Sequence, residues 1–170
     1  MKFIFYVIIA LTIYTDSFSQ NGRPATDLMR EAFVKTKAEK KNLFVVWTAS
    51  WCHPCKELKR GLHDVYNSSY FSNNYVILEL YANELEGARD LENGGADSIL
   101  KIYHGDTTGI PYWMILAPTG KKLYGQLGFS SNVDELKAFI SILKRTSHLR
   151  EGELQMIYDR FRQLSKQVLE

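Results

Sequence analysis

Two continuous apolar runs constrain the fold of this chain more than any other feature. Residues 43–48 read Leu-Phe-Val-Val-Trp-Thr, and residues 75–81 read Tyr-Val-Ile-Leu-Glu-Leu-Tyr. Neither alternates apolar with polar, so each is read as a strand buried on both faces, the pattern of parallel sheets. The stretch between them is read as helical over about 52–66. Adjacent parallel strands cannot be joined by a tight turn and need a crossover. Residues 43–81 are therefore expected to form one β-α-β unit with the right-handed connection that strand twist favours.

The flanks extend this unit. Thr26 is placed to cap a helix over about 27–40, with Leu28, Ala32 and Phe33 turned toward a core. Asn93-Gly94-Gly95 breaks the chain before a short helix over 96–103. A polar loop over 104–109 leads to Ile110-Pro111 and a strand over 112–116. Residues 117–120 (Ala-Pro-Thr-Gly) turn into a strand over 121–127, giving an antiparallel hairpin. Asn132 and Glu135 have the spacing of a capping box and open a helix to about 144. A last helix, about 151–169, puts Leu154, Ile157, Tyr158, Phe161, Leu164 and Val168 on one stripe. The expected fold class is α/β: a mixed sheet of four or more strands flanked by helices, with an extra C-terminal helix.

At 170 residues, 45% apolar and 24% charged, the chain has the size and composition of a single globular domain. A core of that size folds without disulfide staples. The net charge of +2 gives no electrostatic footprint for nucleic acid, so none is expected as a partner. Two cysteines exclude a disulfide scaffold and a four-cysteine zinc module.

At the N-terminus, Met1-Lys2 precedes an apolar run over 3–13, then a polar stretch with Ser17 and Ser19 at the spacing a signal peptidase favours. This is the pattern of a secretory signal peptide cut after Ser19. The run is shorter than the roughly 20 residues that a membrane-spanning helix needs. A buried first strand and an uncleaved anchor are the other readings open here. Residues 1–19 are expected to be the signal peptide, leaving 20–170 as one domain with a core over about 27–146 and a helical extension over about 147–170. No cysteine lies near the cut, which argues against a lipid anchor. The expected location is a bacterial periplasm or the outside of a cell.

Both cysteines fall in Trp51-Cys52-His53-Pro54-Cys55-Lys56, at the strand-to-helix junction of the β-α-β unit. If residues 52–55 open the helix, their Cα atoms lie roughly 5 Å apart, inside the window for a disulfide. Cys52 then sits where unpaired N–H groups and the helix dipole favour a negative charge, which lowers a thiol pKa from about 8.5 toward neutrality. His53, if protonated, adds attraction. Cys55, one turn in, is expected to be shielded by Trp51 and the next loop. Cys52 is therefore the expected exposed nucleophile and Cys55 the resolving thiol. Pro54 is tolerated because first-turn N–H groups have no intrahelical partner. A structural role is the main alternative, but a loop this short constrains the unfolded chain little, by about 2 kcal/mol. Haem attachment would need His after the second cysteine, where Lys56 stands. Zinc would need further ligands, and His63, His104 and His148 show no such spacing. No metal and no cofactor are expected.

At these residues the chain resembles the thioredoxin superfamily. Trp51-Cys52-His53-Pro54-Cys55-Lys56 is similar to its Trp-Cys-x-x-Cys-Lys active site, and Gly109-Ile110-Pro111 before the third strand is similar to its cis-proline loop. The strand and helix after 121 match its terminal β-β-α half, so the likeness covers about 27–146. Among its branches the chain looks most like secreted bacterial thioredoxin-like proteins, including the end domain of the transmembrane disulfide reductase. The resemblance implies a cis Ile110–Pro111 bond and a substrate surface of Trp51, His53, Pro54, Ile110 and Pro111. Ile110 would offer its backbone to the substrate chain, a short form of strand addition. Two positions depart from the family. Its buried aspartate in the first strand is Val46 here, and the lysine of its next strand is Glu79. The acid is thus expected to have moved across the sheet, with Glu79 as general base for Cys55. The alternative is a Glu79 at a strand edge in water.

The leading reading is an exported thiol–disulfide oxidoreductase acting on protein thiols and disulfides. Pro54 before Cys55 resembles reducing sites, which favours a reductase recharged by a membrane electron donor. A dithiol oxidase or isomerase, and a peptide-binding module without catalysis, stay open on the same fold. A monomer is expected, with the last helix docked on its own domain.

Overall fold

The computed structural model describes residues 22–104 and 109–167. The segment read as a signal peptide, Val168 and the loop 105–108 lie outside the described residues. The chain runs α1 (Ala25–Glu39), β1 (Asn42–Thr48), α2 (His53–His63), α3 (Ser68–Asn74), β2 (Tyr75–Tyr81), a 3-10 segment (Glu86–Leu91), α4 (Ala96–His104), β3 (Tyr112–Leu116), β4 (Lys122–Leu127), α5 (Val133–Thr146) and α6 (Glu151–Lys166). The four strands form one mixed sheet in the order β2-β1-β3-β4. β1 pairs in parallel with β2 and antiparallel with β3, and β3 with β4 is the expected hairpin. The two apolar runs thus become adjacent strands, with Asn42 opposite Tyr75 and Thr48 opposite Tyr81.

Two expectations about helix ends are corrected. Thr26 does not cap α1. The helix starts at Ala25, because the Ala25 N–H donates to the Gly94 carbonyl and the Pro24 carbonyl accepts from Asp27 and Leu28. Nor does α2 run to residue 66. Asp64 leaves the helix in an extended conformation, and its carboxylate accepts from the Tyr66 N–H. Val65 and Tyr66, apolar enough to pass as helix face, point to solvent. Asn67 is instead buried, donating its side-chain amide to the Gly61 carbonyl, and α3 follows as a separate helix. At α5 the Asn132 side chain accepts from the Glu135 N–H as expected, while the Asn132 N–H goes to Ser130 Oγ.

The sheet has an apolar layer on each face. One contains Leu28, Met29 and Ala32 of α1, Ile99 and Leu100 of α4, and alternate strand residues such as Leu43, Val45 and Trp47. The other is aromatic. Phe44 of β1 stacks on Trp113 of β3 at 5.4 Å between ring centroids, and Phe71, Phe129, Phe139 and Phe161 close around them. Phe161 belongs to α6, so the C-terminal helix is part of this core. Leu154, Ile157 and Leu164 are buried with it and Tyr158 is half-buried. Each large side chain buried this way is worth about 1.5–3 kcal/mol against exposure.

A close approach fixes α6 to α2. A Cβ on Gly61 would lie 1.9 Å from the Phe161 ring, so only glycine admits that ring. One turn on, Arg160 makes a bidentate pair with Asp64 at 2.8 and 2.7 Å. The two nitrogens match the fork geometry of a carboxylate. They hold the Asp64 carboxyl below its usual range.

Candidate active site

β1, an interior strand, ends at Thr48, and residues 49–51 turn the chain into α2. Cys52 is the N-cap, with extended backbone, and its Sγ accepts from the Cys55 N–H at 3.3 Å. Its carbonyl accepts from Lys56. Pro54 occupies the first turn, where it removes no helical bond. Cys52 and Cys55 are joined in a disulfide with Cα atoms 5.3 Å apart, as their spacing in a helix dictates. No acidic side chain stands in the first turn of α2 to compete with a thiolate for the helix end.

Cys52 is not the exposed sulfur that the sequence suggests. In the disulfide Cys52 is 2% exposed and Cys55 0%. Both pack with Ala49, and Ile110 closes over them from the loop before β3. The Ile110–Pro111 bond is cis. Pro111 is buried, and its carbonyl accepts from Gly128 at 2.7 Å, which ties this loop to the end of β4. The sequence therefore brings Cys52, Cys55, Ile110 and Pro111 together, with His53 and Pro54 exposed beside them. Trp51 does not act as the expected shield. It is 48% exposed, and its indole N–H reaches away to the Asn83 carbonyl at 2.8 Å.

That contact belongs to a clamp the sequence reading missed. After β2 the chain turns through Asn83, whose φ of 58° lies in the left-handed region that asparagine tolerates better than most residues. The turn places Glu84, 7% exposed, under the active-site loop. The Ser50 N–H donates to Glu84 Oε1 at 2.6 Å and the Ser50 hydroxyl to Oε2 at 2.7 Å. A short polar stretch just beyond a buried strand was the available signal. Nothing in its spacing showed that it would reach residues 50–51.

Glu79 lies opposite Val46 in the β1–β2 register. It is on the edge strand, yet its side chain is only 15% exposed, so it is not a solvated strand-edge residue. Its oxygens accept from Lys59 Nζ and His63 Nε2, both at 2.7 Å. Burial alone would raise its pKa, but the bonds from His63 and Lys59 outweigh it and hold the carboxyl below its ordinary value. Lys59 also donates to the Tyr81 hydroxyl. Burial opposes its charge, but Glu79 and Tyr81 raise its pKa. The hydrogen-bond partners of Glu79 are thus Lys59 and His63 of α2 and not the cysteines.

Among the described residues no group of three or more His, Cys, Asp or Glu could hold a metal, and no helix is long and apolar enough to cross a membrane. A family model described as a thioredoxin-like domain matches residues 29–141. A disulphide isomerase from Xylella fastidiosa Temecula1 superposes with a TM-score of 0.51 at 20% identity, covering 92% of this chain and 99% of that one. The C-terminal domain of DsbD from Neisseria meningitidis in the oxidised form gives 0.49 at 19% identity, with 73% and 97% covered. At such identities the first likeness shows the fold. No curated protein matched the chain by sequence.

Proposed function

The chain belongs to the thioredoxin-like domain family, and from that premise we propose that it is an exported thiol–disulfide oxidoreductase that reduces disulfides in protein substrates. The observation that carries this reading is the Cys52–Cys55 disulfide at the start of α2, packed under the Ile110–Pro111 loop. In the dithiol form the Cys55 N–H and the open helix end stabilise a Cys52 thiolate. That thiolate attacks one sulfur of a substrate disulfide. A mixed disulfide forms and the other substrate sulfur leaves as thiolate. Cys55, once deprotonated, attacks Cys52 Sγ, closes the 52–55 disulfide and releases the second substrate thiol. Two electrons have passed to the substrate, so a donor must reduce the pair again. A membrane disulfide reductase fits a signal peptide over 1–19 and an oxidising compartment.

The backbone of Ile110 is the place for the substrate chain, with Trp51, His53, Pro54 and Pro111 around it. Glu79 enters as the candidate acceptor of the Cys55 proton. It is held as a carboxylate, but with Lys59 and His63 on its oxygens it is a weaker base than a buried carboxylate without partners. The test is the equilibrium potential of the 52–55 pair against glutathione, with insulin reduction beside it. A reductase is expected near the thioredoxin value of about −270 mV. A value near about −120 mV makes the protein an oxidase, and a pair that does not exchange removes the proposal.

A further inference from the structure

Beside His53, on the side of α2 that faces α6, lies a cavity of about 260 Å³. Its cations are Arg60 of α2 and Arg162 of α6, and His53 adds to them when protonated. Its one carboxylate is Glu57, whose Oε1 accepts from the Ser131 N–H at 3.2 Å. Arg162 donates from Nη1 to the Ser131 carbonyl at 2.9 Å, which orients the guanidinium and leaves its remaining N–H donors. Ser131 itself is 3% exposed, and these two backbone bonds fix the wall of the cavity between α2 and α6.

We infer that this cavity is a specificity site for an acidic residue flanking the reacting cysteine of the substrate polypeptide. The inference rests on the exchange reading above. Arg60 and the free N–H donors of Arg162 supply the charge and the hydrogen bonds that recognise a carboxylate. His53 lines the cavity and directly follows Cys52, so the cavity begins one residue along the chain from the attacking cysteine. The site depends on the C-terminal helix. Arg162 lies beyond the stretch 29–141 that matches the family model, and Phe161 beside it is seated against Gly61 of the active-site helix. The extension thus adds beside His53 an arginine that lies outside the matched stretch.

The experiment is a titration of the full chain with matched peptides in which serine replaces the reacting cysteine and the flanking residue is Glu, Gln or Lys. Binding is followed at low salt by the His53 ring resonances. The Glu peptide is expected to bind about fivefold tighter than the Gln peptide, the scale of partly exposed ion pairs, and the Lys peptide most weakly. Arg60→Glu should reverse the order. Arg60 is exposed, so that variant reads charge and not folding. Arg162→Gln should shrink the preference. Equal affinities for the three peptides, or an order that Arg60→Glu leaves unchanged, overturn the inference. Disulfide exchange with the cysteine forms is measured separately. No exchange alongside an intact Glu preference would remove the oxidoreductase reading and leave the acidic-residue site standing.

Discussion

The two ends of α2 are held by unlike forces. At the cysteine end the grip is polar and directional: Ser50 on Glu84, Trp51 on Asn83, and one apolar contact from Ile110. At the far end it is mainly apolar, with the Phe161 ring against Gly61 and the Arg160–Asp64 pair at its rim. Directional bonds set where a sulfur points, and packing sets how much unfolding costs. Stability and reactivity are thus maintained by separate contacts at the two ends of one helix, so they should break separately.

The largest break is expected from Phe161→Ala. It leaves a cavity among Phe71, Phe129, Phe139 and α2, and should cost about 3–5 kcal/mol in urea unfolding. The potential of the cysteine pair, measured under folding conditions, should move little. A large shift in that potential would merge the two ends. Next comes Glu84→Gln, which turns one acceptor of Ser50 into a donor. It should cost about 1.5–3 kcal/mol and, unlike the Phe161 variant, change the alkylation rate of reduced Cys52. An alkylation rate equal to the wild type's would make the clamp purely structural.

Acid should loosen the far end. The Asp64 carboxyl is held low, chiefly by the hydrogen bond from Arg160. A depressed folded pKa stabilises above the unfolded value, about 3.9, and the benefit fades as pH falls through the folded value. Asp64→Asn should thus be less stable than the wild type at neutral pH, with the gap starting to close near about pH 4 and vanishing only below the lower, folded value. Urea midpoints at stepped pH check this, and a constant gap would reject it. The smallest effect is expected at Glu79 of β2, which faces Lys59 and His63 of α2. Glu79→Gln should slow resolution of a trapped mixed disulfide a few-fold in single turnover, and an unchanged rate excludes Glu79 as the proton acceptor.

Much of this was legible in the chain. The runs at 43–48 and 75–81 became adjacent parallel strands because unbroken apolarity leaves few other places to go. The cysteine spacing gave its own geometry, since four residues at a helix start fix two Cα atoms. What stayed hidden depends on contacts between distant segments. Ala25 begins α1 because of Gly94, and Cys52 is covered because Ile110 arrives from far along the chain. Glu84 looked like any loop acid until the turn at Asn83 carried it beneath Ser50. Glu79 could be placed opposite Val46 by counting, but its partners on α2 could not.

The seat of Phe161 also decides where this protein can be cut. The family match ends at 141, inside α5, and a shortened version designed on that boundary looks reasonable on paper. It would strip the cover from Phe71, Phe129 and Phe139 and present a greasy aromatic face to the solvent. Recombinant fragments ending there should clump, whereas those keeping the chain through Leu164 should stay dispersed.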